Sequence, residues 1–87
     1  MSMLTHDFET MRNLGPVSAA WLRQAGVSTK SELKRLGPVV AFQRVKQRQP
    51  KASVNLLWAL AAALADKDWL ELTAVERLRL HDELRRL

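Results

Sequence analysis

The sequence predicts an all-α fold, and three features support this prediction. No segment shows the alternation of apolar and polar residues that is typical of a half-buried β-strand. Two segments, Thr29–Glu32 and Thr73–Glu76, have the spacing of a capping box, in which both side chains satisfy free amides at a helix start. Gly15-Pro16 and Gly37-Pro38 are signals for a helix to stop and restart. We therefore expect a compact bundle of five to six short helices.

The first two predicted helices meet in a tight turn. Residues 5–12 form a short helix that Thr5 is placed to cap. Asn13 and Gly15 follow, and both residue types tolerate a left-handed backbone. A second helix over residues 16–25 starts with a proline and ends where a glycine succeeds it. This arrangement is a helix-hairpin-helix unit.

The middle of the chain predicts two further helices. One covers residues 29–36 and ends at Gly37, and the next covers residues 38–47 and ends before Pro50. The second of these is amphipathic, because its apolar residues share one face while Arg44 lies opposite. We expect its outer surface to be basic.

The segment Val54–Ala65 is apolar on every side. We expect it to form a helix at the centre of the core, because a helix without a polar face must be enclosed. Ser53 is placed to cap this helix. Residues 66–72 form a loop, and we expect Trp69 to pin that loop against the core.

A last helix starts at Thr73 and carries leucines at the spacing i, i+4 and i+7, namely Leu80, Leu84 and Leu87. Two interpretations of these leucines stay open. They cover the core, or they present an apolar stripe to a partner helix or to a second copy of the chain.

Length and composition set the class of protein. At 87 residues the chain forms one domain, residues 1–87, whose ends at 1–5 and 86–87 are expected to fray. It contains no cysteine, which suits a reducing compartment. Its first eight residues do not resemble a signal peptide, and its longest apolar stretch is too short to span a bilayer. We expect a cytoplasmic protein without membrane insertion.

Positive charge is concentrated in the middle third of the chain. Residues 30–51 contain seven Lys and Arg against Glu32 alone, a net charge of +6, whereas the segments before and after are close to neutral. A concentrated basic segment favours an anionic partner, and duplex DNA is the first candidate. The alternative is a solvated face that keeps the protein soluble. The proposed anion-binding surface consists of Lys30, Lys34, Arg35, Arg44, Arg48 and Lys51.

The hairpin turn is a second candidate for contact with phosphate. Gly15 and the amides after it lie at a helix start, where backbone donors and the helix dipole favour an anion. DNA-binding hairpins usually have a second glycine where Asn13 stands and a basic residue where Val17 stands. The turn therefore either binds phosphate through Gly15 or serves only to pack two helices together.

The sequence contains no recognisable catalytic or metal site. No serine has an adjacent histidine, no glycine-rich phosphate loop is present, and His6 and His81 lie near opposite ends. We expect no enzymatic activity, no cofactor and no metal. Trp21 and Trp58 are expected to pack in the core and not to stack on exposed bases.

Three blocks occur in a specific order along the chain. The segment NLGPVSAAWLRQAGVSTKSELKRLG occupies residues 13–37, VNLLWALAAAL occupies residues 54–64, and Trp69 precedes the helix start at Thr73. Together they resemble the C-terminal domain of the TfoX/Sxy family of bacterial competence regulators, over about residues 8–80. The resemblance implies a fold related to helix-hairpin-helix modules. It also implies a role in transcriptional activation of DNA-uptake genes alongside the cyclic-AMP receptor protein.

Full-length members of that family carry an additional N-terminal α/β domain that these 87 residues do not match, so activities that need that domain are not expected here. We expect an accessory transcriptional regulator that binds a protein partner, with duplex DNA as a second candidate partner. The alternative is a protein–protein adaptor with no nucleic-acid role. Neither interpretation involves a small-molecule substrate, and both a monomer and a homodimer are compatible with the sequence.

Overall fold

A computed structural model describes residue 8 and residues 11–87 of the chain. These residues form four α-helices and one short 3-10 helix, and none of them lies in a β-strand. The predicted all-α class is confirmed. Among the described helices, none is both long and apolar enough to cross a membrane. The elements are α1 (Pro16–Gln24), α2 (Lys30–Arg48), α3 (Val54–Leu64), the 3-10 helix (Trp69–Glu71) and α4 (Ala74–Arg85).

The prediction of five to six helices is too high for this part of the chain. The helices predicted over residues 29–36 and 38–47 follow each other without a loop and are counted as one element, α2, which has a kink at Gly37. Gly37 has φ 82° and ψ 165°, a non-helical conformation that glycine adopts far more readily than other residues. The predicted stop at Gly37 is therefore present as a break in the helical geometry, and the helix restarts at Pro38. The helix predicted over residues 5–12, the first of the hairpin, lies mostly outside the described residues.

The turn before α1 contains its left-handed residue at Asn13, with φ 70°. Gly15 adopts an extended backbone, with φ −104° and ψ −173°, that any residue can occupy. Of the two residues expected to tolerate a left-handed backbone, only Asn13 adopts it. Asn13 can take that role because its short amide side chain tolerates the left-handed region when it finds hydrogen-bond partners. Gly15 instead occupies the N-cap of α1, and Pro16 takes the first helical position as predicted.

The predicted end of α1 at Gly26 is confirmed. Gly26 has φ 87°, its amide donates to the carbonyl of Arg23 at 3.0 Å, and the amide of Val27 donates to the carbonyl of Leu22 at 2.9 Å. This pair of bonds is a Schellman motif, which satisfies two of the carbonyls that a helix end leaves free. It also turns the buried Val27 back onto α1.

The two predicted capping boxes start α2 and α4. At α2 the hydroxyl of Thr29 accepts from the amide of Glu32 at 3.1 Å, and the Glu32 carboxylate accepts from the amide of Ser28 at 3.0 Å. The carboxylate thus reaches one residue further back than expected. At α4 the exchange is complete, because the amide of Glu76 donates to Thr73 at 3.1 Å and the amide of Thr73 donates to Glu76 at 2.9 Å.

Helix α3 forms the centre of the core, as its apolar sequence predicts. Leu57 and Leu60 are fully buried, and α3 packs against α2 and the 3-10 helix. Burial of each such leucine stabilises the fold by about 1.5–3 kcal/mol. Ser53 occupies the N-cap of α3 without a side-chain hydrogen bond, so the predicted cap is wrong there. The other large side chains that are fully buried are Phe8, Leu22, Val27, Leu33 and Val45.

Helix α4 covers one edge of this core and contributes no buried residue to it. Leu80 and Leu84 are partly buried against the core, which agrees with the first interpretation of the leucine pattern. Leu87 is 57% exposed and does not take part in covering the core. Most of the surface of α4 therefore faces solvent.

A candidate partner-binding face

The 3-10 helix and α4 expose large apolar side chains on neighbouring elements. Trp69 is 39% exposed, Val75 is 59% exposed, and Leu70 and Leu78 are each 70% exposed. Exposed apolar side chains grouped on neighbouring elements are typical of surfaces that bind another molecule. We call the surface formed by Trp69, Leu70, α4 and the groove described next the α4 face.

A groove of about 600 Å³ opens on the α4 face. Trp58 of α3 forms one wall, and Ala74, Leu78 and His81 of α4 recur along the other at the spacing i, i+4 and i+7. The volume lies within the range of clefts that bind ligands and peptide side chains. The complete lining is Trp58, Leu72, Ala74, Arg77, Leu78 and His81.

Arg77 is the central charged residue of the groove. Its guanidinium carbon lies 5.8 Å from the ring centroid of Trp58 and 5.9 Å from that of Trp69, so two indoles flank the cation. Its Nη2 donates to the carbonyl of Trp69 at 3.4 Å. Its Nε is buried and has no acceptor among the residues that the structure describes. Aromatic rings and one carbonyl therefore hold this arginine, and no carboxylate neutralises it there.

The loop that carries Trp69 is fixed by Asn13. The Asn13 side chain donates from Nδ2 to the carbonyl of Lys67 at 2.9 Å and accepts at Oδ1 from the amide of Trp69 at 3.1 Å. Arg12 adds a bond to the carbonyl of Asp66 at 3.1 Å. Trp69 remains 39% exposed with its indole beside Arg77, so the hydrogen bonds of Asn13 hold the loop together with the contact between the 3-10 helix and α3.

An ion pair joins the same loop to the start of α4. Lys67 Nζ lies 3.1 Å and 3.0 Å from the two carboxylate oxygens of Glu76. The hydrogen bond from the Thr73 amide, followed by the bond from Lys67, lowers the pKa of Glu76 below its ordinary value. Glu76 is therefore ionised at neutral pH. Its carboxylate accepts hydrogen bonds from Lys67 in the loop and from the Thr73 amide at the start of α4.

The six cationic residues predicted to bind an anion are all exposed, but they fall into two groups on either side of the bend at Gly37. In the first group, Lys30 and Lys34 line a polar cavity of about 280 Å³ together with Arg12 and Asp66. The second group lies at the other end of α2. Its members are Arg44, Arg48 and Lys51.

Two other residues of the basic region have defined roles. Lys46 donates to the carbonyls of Pro50 and Ala52, both at 2.6 Å, and so closes the C-terminus of α2. Gly15 is exposed at the start of α1 next to Val17, which is 63% exposed. The hairpin turn thus has accessible backbone but no cation at position 17.

The α4 face was not predicted from the sequence. The leucine spacing predicts correctly that Leu80 and Leu84 cover the core, but it says nothing of Val75 and Leu78, which fall outside that pattern. Trp58 is half-buried against the core as expected, and its exposed part forms a groove wall. The signal that was available is the number of apolar residues on α4, which exceeds what one inward stripe accommodates.

Histidines do not form a metal site in the described chain. His81 is exposed on the groove, and His6 lies outside the described residues. Across residue 8 and residues 11–87, no three His, Asp or Glu side chains are grouped so that they could hold a metal ion.

The sequence of residues 5–84 matches the TfoX C-terminal domain, which is most of the chain. The chain belongs to the TfoX C-terminal domain family. The resemblance predicted from three sequence blocks is thereby confirmed, and it extends a few residues beyond both ends of the predicted range.

The fold of this TfoX C-terminal domain is also found in a solved structure. It is similar to the crystal structure of an uncharacterized protein from Listeria monocytogenes, with a TM-score of 0.83 and 26% sequence identity. The similarity covers 91% of this chain and 90% of that chain. No curated protein matches the sequence.

Proposed function

We propose that this TfoX C-terminal domain is a non-enzymatic accessory regulator of the competence type, which binds a protein partner through the α4 face in the cytoplasm. The observation that carries this proposal is the exposed apolar surface of α4. This helix has no buried residue, yet Val75 and Leu78 expose most of their apolar surface beside an open groove. An exposed apolar surface of this kind is typical of a protein interaction site.

A second contact, to duplex DNA, is favoured by the exposure of the basic residues on α2. Within the described part of the chain, Lys34, Arg35, Arg44, Arg48 and Lys51 form no ion pair, although Lys34 shares a cavity with Asp66. In this proposal these cations and Lys30 meet phosphates without reading the base sequence. The predicted helix-hairpin-helix turn at residues 13–16 keeps a packing role, because Asn13 is engaged with the loop before α4.

Affinity capture tests the protein contact. The whole chain is immobilised, cell extract is applied with and without nuclease, and retained proteins are compared with those retained by Leu78→Glu and by Arg44→Glu/Arg48→Glu. We expect retention that survives nuclease, is lost in Leu78→Glu and is unchanged in the double variant. Leu78 is 70% exposed, so its substitution is tolerated by the fold. Retention that nuclease abolishes, or that Leu78→Glu does not affect, contradicts the proposal.

A salt titration of duplex DNA binding separates the regulator from an adaptor without a nucleic-acid role. Six phosphate contacts give a slope of log K against log salt of about −5.4, and loss of the contacts of Arg44 and Arg48 leaves a slope of about −3.6. The control is Arg79→Glu/Arg86→Glu, which makes the same change in net charge on α4 and at its C-cap, where Arg86 pairs with Asp82. We expect it to leave the slope near that of the unmodified chain. Absence of retention on DNA at low salt supports the adaptor.

A further inference from the structure

We propose that the groove of the α4 face binds an acidic amphipathic helix of a partner protein, which places a carboxylate on Arg77 and an apolar side chain between Trp58 and Leu78. This inference rests on the proposed function, because it assigns a chemical class to the partner at the same face. Charge, hydrogen bonding and shape support it separately.

The two flanks of α4 differ in charge. The groove flank carries Arg77 and His81, and helical periodicity adds the exposed Arg85 four residues later. No acidic side chain of the described residues lines the groove. On the opposite flank, Glu76 and Glu83 line a second cavity next to α2. A partner that enters the first groove therefore meets the charge of Arg77 and no carboxylate of the lining, which favours an acidic segment.

Arg77 lacks the partner that a guanidinium in a partly buried site normally has. Its contacts are two indole rings and one carbonyl at 3.4 Å, and its buried Nε has no acceptor in the described chain. Buried donors without an acceptor are rare in native proteins. A carboxylate presented by a partner supplies the missing negative charge, and the planar guanidinium binds carboxylates with two parallel hydrogen bonds.

The shape of the groove suits a helix. Ala74, Leu78 and His81 line it at helical spacing, so a second helix laid beside α4 can place its own side chains at i, i+3 or i+4, and i+7 between them. Helix α4 has 12 residues, a length of about 18 Å, which matches a partner helix of about three turns.

A second copy of this chain fits the groove less well. A two-fold contact between two α4 faces brings Arg77 and Arg85 of one copy against the same residues of the other, and like charges at an interface are destabilising. Contact between the basic flank of one copy and the acidic flank of the next forms an open chain of molecules instead of a closed dimer.

A displayed peptide library tests the assignment without assuming a partner. The library presents helical peptides with apolar residues fixed at i, i+3 and i+7 and all other positions random, and it is selected against the whole chain. We expect Asp and Glu to be enriched next to the apolar positions. Binding of the selected peptides is expected to shift the indole N–H resonances of Trp58 and Trp69. Arg77→Gln should lower the affinity for these peptides by about tenfold or more.

Matched variants make the result specific. Arg79→Gln makes the same change in charge on the opposite flank and is expected to leave affinity unchanged. Arg77→Lys keeps the charge but loses the paired hydrogen bonds, so an intermediate affinity is expected. Thermal unfolding of each variant identifies any loss of affinity that follows from a loss of folding.

Three results overturn the inference. Selected peptides that are neutral or basic, yet lose binding in Leu78→Glu, show that the face binds protein but does not select acids. Peptides that bind regardless of Leu78→Glu contradict both this inference and the proposed function. Sedimentation showing a homodimer that Leu78→Glu dissociates assigns the groove to a second copy of the chain.

Discussion

Helices α3 and α4 have almost the same length, 11 and 12 residues, but different interactions hold them in place. Helix α3 is held by burial. Leu57 and Leu60 are inaccessible to solvent, and the Ser53 hydroxyl contributes no cap. Helix α4 has no buried residue, and a complete capping box together with an ion pair defines its start.

This difference shows how a small domain can leave one helix available for binding. A helix that is held by apolar burial uses its surface to pack in the core, so that surface cannot also contact a partner. A helix positioned by polar contacts at its start needs only a narrow inward edge, which Leu80 and Leu84 provide. The remaining faces of α4 are free to contact a partner.

The largest expected effect lies in α3. Leu57→Ala removes a fully buried side chain and leaves a cavity, which should lower the free energy of unfolding by about 2–5 kcal/mol. Leu78→Ala is the matched change on α4 and should alter it by less than about 0.5 kcal/mol, because Leu78 is mostly exposed. Urea unfolding at neutral pH measures both. Similar losses for the two variants would show that α4 is part of the core.

The caps allow a second pair of variants of intermediate effect. Thr73→Ala removes the hydroxyl that accepts from the Glu76 amide and should lower the free energy of unfolding by about 1 kcal/mol. Ser53→Ala alters the same position of α3 but removes no hydrogen bond, so we expect a change below about 0.5 kcal/mol. Thermal or urea unfolding distinguishes them. A larger loss for Ser53→Ala contradicts the view that burial alone holds α3.

The smallest expected effect concerns pH. The Thr73 amide and then Lys67 hold the pKa of Glu76 below its ordinary value of 4.5. Ionised Glu76 therefore stabilises the fold above pH 4.5, and this contribution is lost as the pH falls through the lowered pKa. Glu76→Gln keeps an amide able to complete the cap but does not titrate. Its stability should decline less below pH 4.5 than that of the unmodified chain, which urea midpoints at successive pH values measure.

Local signals in the sequence predict most of the fold. Glycine, proline and Thr-x-x-Glu spacing act through backbone geometry within a few residues, so the end of α1 at Gly26 and the starts at Thr29 and Thr73 follow from the sequence. The helix count does not follow, because the Gly37-Pro38 signal is equally compatible with a loop and with a bend. Local signals of this kind do not specify how residues distant in the sequence meet.

The candidate site was less accessible to prediction for the same reason. Charge along the chain identified the exposed cations of α2, and their role remains a prediction. The groove depends on Arg77 lying between Trp58 and Trp69, which come from three different elements. No spacing in the sequence predicts that these three side chains lie together.

The hydrogen bonds of Asn13 make the groove dependent on residues far away in the chain. They join Asn13 to Lys67 and Trp69, which lie 54 and 56 residues further on, and so close a loop that includes more than half of the chain. Closing so long a loop is entropically costly, and such contacts form after the local helices during folding. The position of Trp69 beside Arg77 therefore depends on Asn13, and a chain shortened past Asn13 would retain α4 without this support for the arginine of the groove.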